Sequence, residues 1–150
     1  TIAQDYIPGR AVSISFLVGP GSIVPLLPCA QHLSRDGRFR YEGGHCPLKE
    51  PDLRIRTTKL GLEALKTITG LSGYVGVDLV LGAAGDGSED AVIEVNPRLT
   101  TSYLGLKSLA ITNLAKTLLA LCSSDDYRIP EWKAGYVDFT SSGTFAMDSE

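Results

Sequence analysis

The sequence predicts an α+β domain, an antiparallel β-sheet with two main helices packed on one of its faces. Three observations carry that expectation. Gly73 to Leu81 (GYVGVDLVL) sets Val75, Val77, Leu79 and Leu81 on one side and Tyr74, Gly76 and Asp78 on the other. Ala91 to Asn96 (AVIEVN) likewise sets Ala91, Ile93 and Val95 on one face, with Glu94 and Asn96 on the other. Period-two alternation rich in β-branched residues marks half-buried strands, and the Gly- and Asp-rich stretch 82–90 reads as the loop of an antiparallel pair. The third observation is two segments, 52–69 and 103–121, in which apolar residues recur at helical spacing.

The remaining elements follow in order. Residues 1–9 are an extended segment closed by a Pro-Gly turn. Residues 11–18 alternate, with Val12, Ile14, Phe16 and Val18 opposed to Ser13 and Ser15, and form a strand. After the turn Gly19-Pro20-Gly21-Ser22, residues 23–30 read as the returning strand. Its Pro25 and Pro28 cannot donate ladder hydrogen bonds, so it belongs at an edge or is irregular. Residues 31–51 are polar and glycine-containing, a long loop or short strands carrying Arg35, Arg38 and Arg40. Asp52 is placed to cap the first helix, whose stripe is Ile55, Thr58, Leu62, Leu65 and Ile68, and Gly70 to stop it. The second helix presents Leu106, Leu109, Leu114, Leu118 and Leu121, with Asn113 inside the stripe and no evident partner. Residues 123–130 read as a linker, 135–139 as one more short strand with Trp132 packing it down, and 141–150 as a tail expected to fray.

The totals narrow the function classes. With 150 residues, 43% hydrophobic and 21% charged, the chain has the composition of one soluble domain with a real core. A net charge of −3 offers no basic surplus for nucleic acid, and no apolar run reaches membrane-spanning length. The start has no signal-peptide pattern. Cys29, Cys46 and Cys122 are odd in number and lack metal-ligand spacing, which suits reduced thiols in a cytoplasmic protein.

The chemistry concentrates on the polar face of the central hairpin. If the loop folds symmetrically about Asp86, Asp78 falls directly opposite Glu94. Side chains so paired lie about 4.5 to 5.5 Å apart, and like charges there are unfavourable. Asn96 adds a neutral oxygen two residues along. Two carboxylates and an amide oxygen suit a hard cation such as Mg²⁺, which also recruits phosphate oxygens and water. Pro97 ends the strand, and Arg98 then emerges beside the acidic face, where its guanidinium can grip a phosphate or acyl phosphate bidentately. The plainer alternative is a solvated acidic face. Thr101 and Ser102 have a plain role as well, as helix N-caps.

The run GVDLVL…AVIEVNPRLTTSYLGL resembles the metal-binding end of the ATP-grasp family of carboxylate–amine ligases, and looks closest to its tyramine–glutamate ligase branch. The resemblance extends from about Gln4 to Cys122, residues 1–122 corresponding to the C-terminal part of the ATP-grasp module. It implies that Asp78, Glu94 and Asn96 hold the Mg²⁺ (or Mn²⁺) of ATP and that Arg98 is the catalytic charge at the γ-phosphate or acyl phosphate. It further implies an adenine-receiving hinge at Gln4, Tyr6 and Ile7, and a working charge at Arg40 in a loop that closes over the phosphates. Thr101 and Ser102 would contact the carboxylate or amine substrate. The position at which many members carry a ribose-binding Glu is here in the Arg10-Ala11 neighbourhood. The family's first half, with its phosphate-gripping lysine and glycine-rich loop, is not in the chain, which therefore reads as the C-terminal portion of a longer protein, inactive alone. The implied reaction forms an amide from two small-molecule partners, possible examples being glutamate and an aromatic amine, with no nucleic-acid or membrane partner and with homo-oligomerisation open. Two competing expectations are a non-catalytic nucleotide-binding scaffold and an ATP-grasp enzyme with a non-amine acceptor.

Overall fold

The computed structural model describes residues 5–123 and 126–148. Its elements are β1 (Arg10–Gly19), β2 (Ser22–Pro25), β3 (Cys29–Leu33), β4 (Tyr41–Cys46), α1 (Pro51–Lys66), β5 (Gly73–Leu81), β6 (Ala91–Asn96), α2 (Ser102–Leu109), α3 (Leu114–Cys122), β7 (Tyr136–Thr140) and β8 (Phe145–Asp148). The strands make one eight-stranded sheet in the order β6-β5-β1-β3-β4-β7-β8, with β2 beside β1, and the strand pairs are antiparallel. The α+β class therefore stands, and the central hairpin forms where its alternation indicates.

The two prolines decide how the chain returns along β1. Rather than one irregular strand, residues 22–33 form two. β2 pairs with residues 16–19 of β1, and β3 begins at Cys29, opposite Ser13. Pro25 closes β2, and Pro28 precedes β3, offering its carbonyl to the Leu48 amide at 2.7 Å. Part of the polar stretch 31–51 is thereby drawn into the sheet, as β3 and β4.

The helices differ from expectation in number and placement. Among the described residues there are three, and they cover both faces of the sheet rather than one. α1 closes over Val12, Ile14, Phe16, Val75, Val77 and Leu79. On the opposite face, α2 and α3 contribute Leu106, Leu109, Leu114 and Leu121 to a core with Leu17, Tyr74, Val137 and Phe139. The split follows from Asn113, which leaves the helical path. Its side chain accepts from the Lys116 amide at 3.1 Å, making it the N-cap of α3. The backbone around the break finds partners in the segment before β7: Ile111 N–H donates to Glu131 O, and Lys133 N–H to Leu109 O. Trp132 bridges to Ala110 and packs on this core, as expected of it.

α1 starts at Pro51, whose fixed φ suits the first helical turn, so Glu50 occupies the cap position and Asp52 lies within the turn. The buried line of α1 is Thr57, Gly61 and Leu65, while Ile55 is 67% exposed and Ile68 40% exposed. Gly61 explains the rotation. A Cβ there would lie 2.6 Å from the Ile14 side chain and 2.9 Å from Phe16, so only glycine lets the helix approach this closely. The segment 141–148 does not simply fray: β8 pairs with β7 from Phe139↔Phe145 to Tyr136↔Asp148 and extends the sheet.

Candidate functional site

The polar face of β5 and β6 opens on a cavity of about 540 Å³. Its walls bring together Tyr6, Ile7, Asp78, Asn96, Arg98, Thr101 and Ser102, seven side chains that the sequence singled out across a span of nearly a hundred residues. Gln4 lies outside the described residues. Two other candidates stand apart. Arg40 does not line the cavity, and its guanidinium pairs with Asp36 at 2.9 Å across the β3–β4 turn. Glu94 is exposed and also off the lining, yet in the β5–β6 ladder it sits directly opposite Asp78, as the symmetric loop requires.

That register holds because the loop itself is clamped. Asp90 accepts from the Gly82 amide at 3.0 Å and pairs with Arg56 of α1, whose guanidinium also donates to Gly82 O at 3.2 Å. Beyond Asp78 the ladder slips by one residue, so Leu79 faces Val92 instead of Ile93. A β-bulge of this kind re-aims side chains, and Ile93, expected in the core with Ala91 and Val95, is half-exposed and lines the cavity.

Asp78 is the centre of a short polar chain. Gln31 Nε2 donates to its Oδ1 at 2.7 Å, and Asn96 Nδ2 donates to its Oδ2 at 3.0 Å. The Asn96 Oδ1 accepts in turn from Arg98 at 3.0 Å, and Arg98 also donates to Leu99 O at 3.3 Å. Burial pushes the Asp78 carboxyl above the usual aspartate range. The Gln31 hydrogen bond opposes that rise, the Glu94 charge adds to it, and the Arg98 charge and the Asn96 bond act against it. Among the described residues neither Asp78 nor Arg98 belongs to an ion pair.

In the cavity wall beyond Arg98, Thr100 and Ser102 are backed by a buried cluster of hydroxyls. Tyr74 Oη donates to Ser15 Oγ at 2.6 Å and lies 3.3 Å from Thr100 Oγ1, which is 2.8 Å from Ser102 Oγ. Burial raises the Tyr74 phenol, and its hydroxyl partners partly offset this. Thr101 occupies the N-cap position of α2 without a side-chain capping bond, and Ser102 is almost wholly buried in the hydroxyl cluster. The expected capping role is thus not used. Gly76 makes the packing possible, since a Cβ there would lie 2.5 Å from Thr100 Cγ2. At the other end Phe39, held at φ 50°, stacks on Tyr6 with ring centroids 5.5 Å apart.

Gln31, Ser15, Tyr74, Thr100 and Phe39 were not anticipated as site residues. For Tyr74 a signal existed: it shares the parity of Asp78 on β5. Gln31 sat in a stretch without readable periodicity, and only the β1–β3 pairing brings it to Asp78.

The donor set fits a hard divalent cation. It consists of oxygens alone, and its central carboxylate is partly desolvated, faces a second carboxylate and belongs to no ion pair among the described residues. Among the described residues there is no cluster of three or more His, Cys, Asp or Glu side chains poised for a metal, so such an ion would complete its shell with phosphate oxygens and water.

A family model described as an ATP-grasp domain matches residues 1–102, and the chain belongs to the ATP-grasp family. Among curated relatives it is similar to the tyramine–L-glutamate ligase of Methanocaldococcus fervens, with 35% identity over 107 residues, covering 71% of this chain and 33% of the relative. The enzyme of the same name from Methanocaldococcus jannaschii is 32% identical over 127 residues, covering 85% of this chain and 38% of that protein. The chain thus spans roughly a third of the length of the curated relatives it matches.

Solved structures agree on the fold. An ADP complex of N5-carboxyaminoimidazole ribonucleotide synthetase superposes with a TM-score of 0.70 at 13% identity, over 90% of this chain and 34% of that one. The L-amino acid ligase from Bacillus licheniformis gives 0.70 at 20% identity, over 89% of this chain and 35% of that one. No helix among the described residues is long and apolar enough to cross a membrane.

Proposed function

We propose that this chain forms the Mg²⁺- and phosphate-binding side of the active site of an ATP-dependent carboxylate–amine ligase. The observation that carries the reading is the convergence of Asp78, Asn96 and Arg98 on one cavity, with Glu94 in register opposite Asp78. When bound, the metal would neutralise phosphate charge, held by Asp78, Glu94 and Asn96. Arg98, which has no carboxylate partner among the described residues, offers a guanidinium to the transferred phosphoryl group. Tyr6 and Ile7 wall the opposite part of the cavity, where an adenine base would lie. Thr101 and Ser102, backed by the Tyr74 hydroxyl, would face the acid or amine substrate.

In the reaction that this arrangement serves, a substrate carboxylate oxygen attacks the γ-phosphorus of ATP and ADP departs. The resulting acyl phosphate is attacked by an amine, which loses a proton as the amide forms and phosphate leaves. Much of the catalytic work is positioning and charge compensation. The two relatives are named as tyramine–L-glutamate ligases, which makes glutamate and tyramine the first pair to try.

The test is ADP release by the whole protein with Mg²⁺-ATP, offering L-glutamate and other amino acids, each with and without tyramine and a panel of small amines. Release that requires both an acid and an amine is the expected result. Tight nucleotide binding with no release for any pair would instead favour a non-catalytic module or an acceptor other than an amine. In the same assay Asp78→Asn and Glu94→Gln are expected to abolish turnover.

A further inference from the structure

We propose that Gln31 is a positioning residue for the cation site, holding the Asp78 carboxylate in the orientation that metal binding requires. The proposal rests on the reading of Asp78 as a metal ligand and extends it to a residue on a different strand. Gln31 lies on β3, separated from β5 by β1 and two residues beyond Cys29, which faces Ser13, so its side chain reaches diagonally across β1 to Asp78, the partner of Ser13 on β5. The bond it donates, at 2.7 Å, is the shorter of the two that Asp78 receives.

The geometry gives the two amide donors different standing. Asn96 is itself a proposed ligand, yet it turns its Nδ2 towards Asp78 and its Oδ1 towards Arg98, so coordinating an ion shared with Asp78 through Oδ1 would require the amide to turn. The Asn96 amide must therefore adjust when a cation arrives. Gln31 has no such competing duty and can hold Oδ1 of Asp78 with or without the metal. Each carboxylate oxygen has about two acceptor directions, so one amide bond per oxygen leaves room for a cation.

The chemistry of the side chain matters as much as its reach. A lysine or arginine at position 31 would neutralise Asp78 and compete with the metal. Glutamine donates a hydrogen bond with no net charge, so it fixes the carboxylate while leaving its negative charge for the ion. Partners that orient a metal-binding carboxylate in this way are worth about 10- to 100-fold in metal affinity.

The experiment measures Mn²⁺ binding to the whole protein with ADP bound, from the loss of the free-ion paramagnetic resonance signal. ADP affinity in EDTA and the metal-free unfolding midpoint are measured alongside. Gln31→Met, close in shape but without a donor, is expected to weaken Mn²⁺ about 10- to 100-fold while leaving metal-free ADP affinity unchanged. Gln31→Asn withdraws the amide by one carbon and should weaken Mn²⁺ in the same direction, which keeps the test decisive if the Met variant fails to fold. Gln31→Lys retains a donor yet should also bind Mn²⁺ more weakly, because its charge replaces the ion's. Mn²⁺ affinity within twofold of wild type in both the Met and Asn variants, with Asp78→Asn abolishing binding, would overturn the role of Gln31 and leave the metal site standing. Unchanged Mn²⁺ binding in Asp78→Asn would remove the metal site itself.

Discussion

Strand β1 has two faces, and they are built on opposite principles. Its Val12, Ile14, Phe16 and Val18 enter the core beneath α1, where the packing is apolar apart from the buried Thr57 and Gly61 lets the helix come close. Its Ser13 and Ser15 point the other way, towards Asp78 and the Tyr74 hydroxyl. They are nearly as buried as the apolar set, but their surroundings are hydrogen-bonded polar groups at the edge of a cavity. One face stabilises the sheet through burial alone. The other gathers a desolvated carboxylate, a second carboxylate across the ladder and a guanidinium with no carboxylate partner among the described residues, which costs stability in return for a place to bind charge.

The comparison predicts that damage to the two faces will be separable, and the largest effect belongs to the α1 side. Phe16→Ala should destabilise the fold by about 3 to 5 kcal/mol, the cost of losing a buried ring and leaving a cavity. Chemical denaturation would measure it, and Mn²⁺ affinity of the fraction that remains folded should be unchanged. A selective loss of metal binding would show that the faces are more tightly coupled than their packing indicates.

Next comes the ion pair through which α1 clamps the loop of the functional hairpin. Asp90→Ala removes the partner of Arg56 and the acceptor for the Gly82 amide, leaving a half-buried guanidinium uncompensated. The expected cost is about 3 kcal/mol, as for breaking a buried pair by deleting one partner. Because that pair clamps the β5–β6 loop, hydrogen exchange of the β6 amides should quicken more than that of β3.

A smaller and more local effect is expected at Gly76. Alanine there must displace Thr100, since its Cβ would sit 2.5 Å from the threonine methyl. A cost of about 1 to 3 kcal/mol is usual for such overpacking. The displaced turn carries Arg98 and Thr101, so nucleotide affinity in the whole protein should fall as well. Thermal unfolding together with ADP titration separates the two consequences.

How far this division could be read from the sequence depends on the kind of signal each part leaves. The Asp78–Glu94 register was legible because nine loop residues centre on Asp86 and both strands alternate cleanly. The slip just beyond it was not, since alternation fixes parity and carries no mark of a bulge, so Ile93 was assigned to the core. The helices were found, but the buried side of α1 was misjudged. Hydrophobic patterning counts Ile55 and Ile68 and ignores Gly61, whose contribution is the absence of a side chain. The break at Asn113 depends on backbone partners at residues 131–133, nearly twenty positions away. Arg40 shows the limit of reading a local cluster of charge. It lay in a promising basic cluster, and a local turn gave it Asp36 as partner.

The smallest predicted effect tests the functional face most directly. Asp78 has its folded-state pKa raised, chiefly by burial and further by Glu94. An acid whose pKa is higher folded than unfolded favours the native state while both forms are protonated, and that contribution is lost as pH rises through the folded value. At neutral pH without metal, ionised Asp78 is therefore a net strain on the fold. Asp78→Asn removes the charge and keeps an oxygen for Gln31, while Asn96 can turn its amide to present an acceptor. The variant should be more stable than wild type at pH 7 by roughly 0.5 to 1 kcal/mol, the scale of relieving one like-charge cross-strand pair. The gain should vanish below the ordinary aspartate range, where the wild-type carboxyl is protonated in both states. Saturating Mn²⁺ and ADP should reverse the order at pH 7, because only the wild type gains the binding free energy. Denaturation midpoints at two pH values, with and without those ligands, give the comparison. A variant less stable than wild type under metal-free conditions would mean that Asp78 holds the sheet together rather than waiting for a cation.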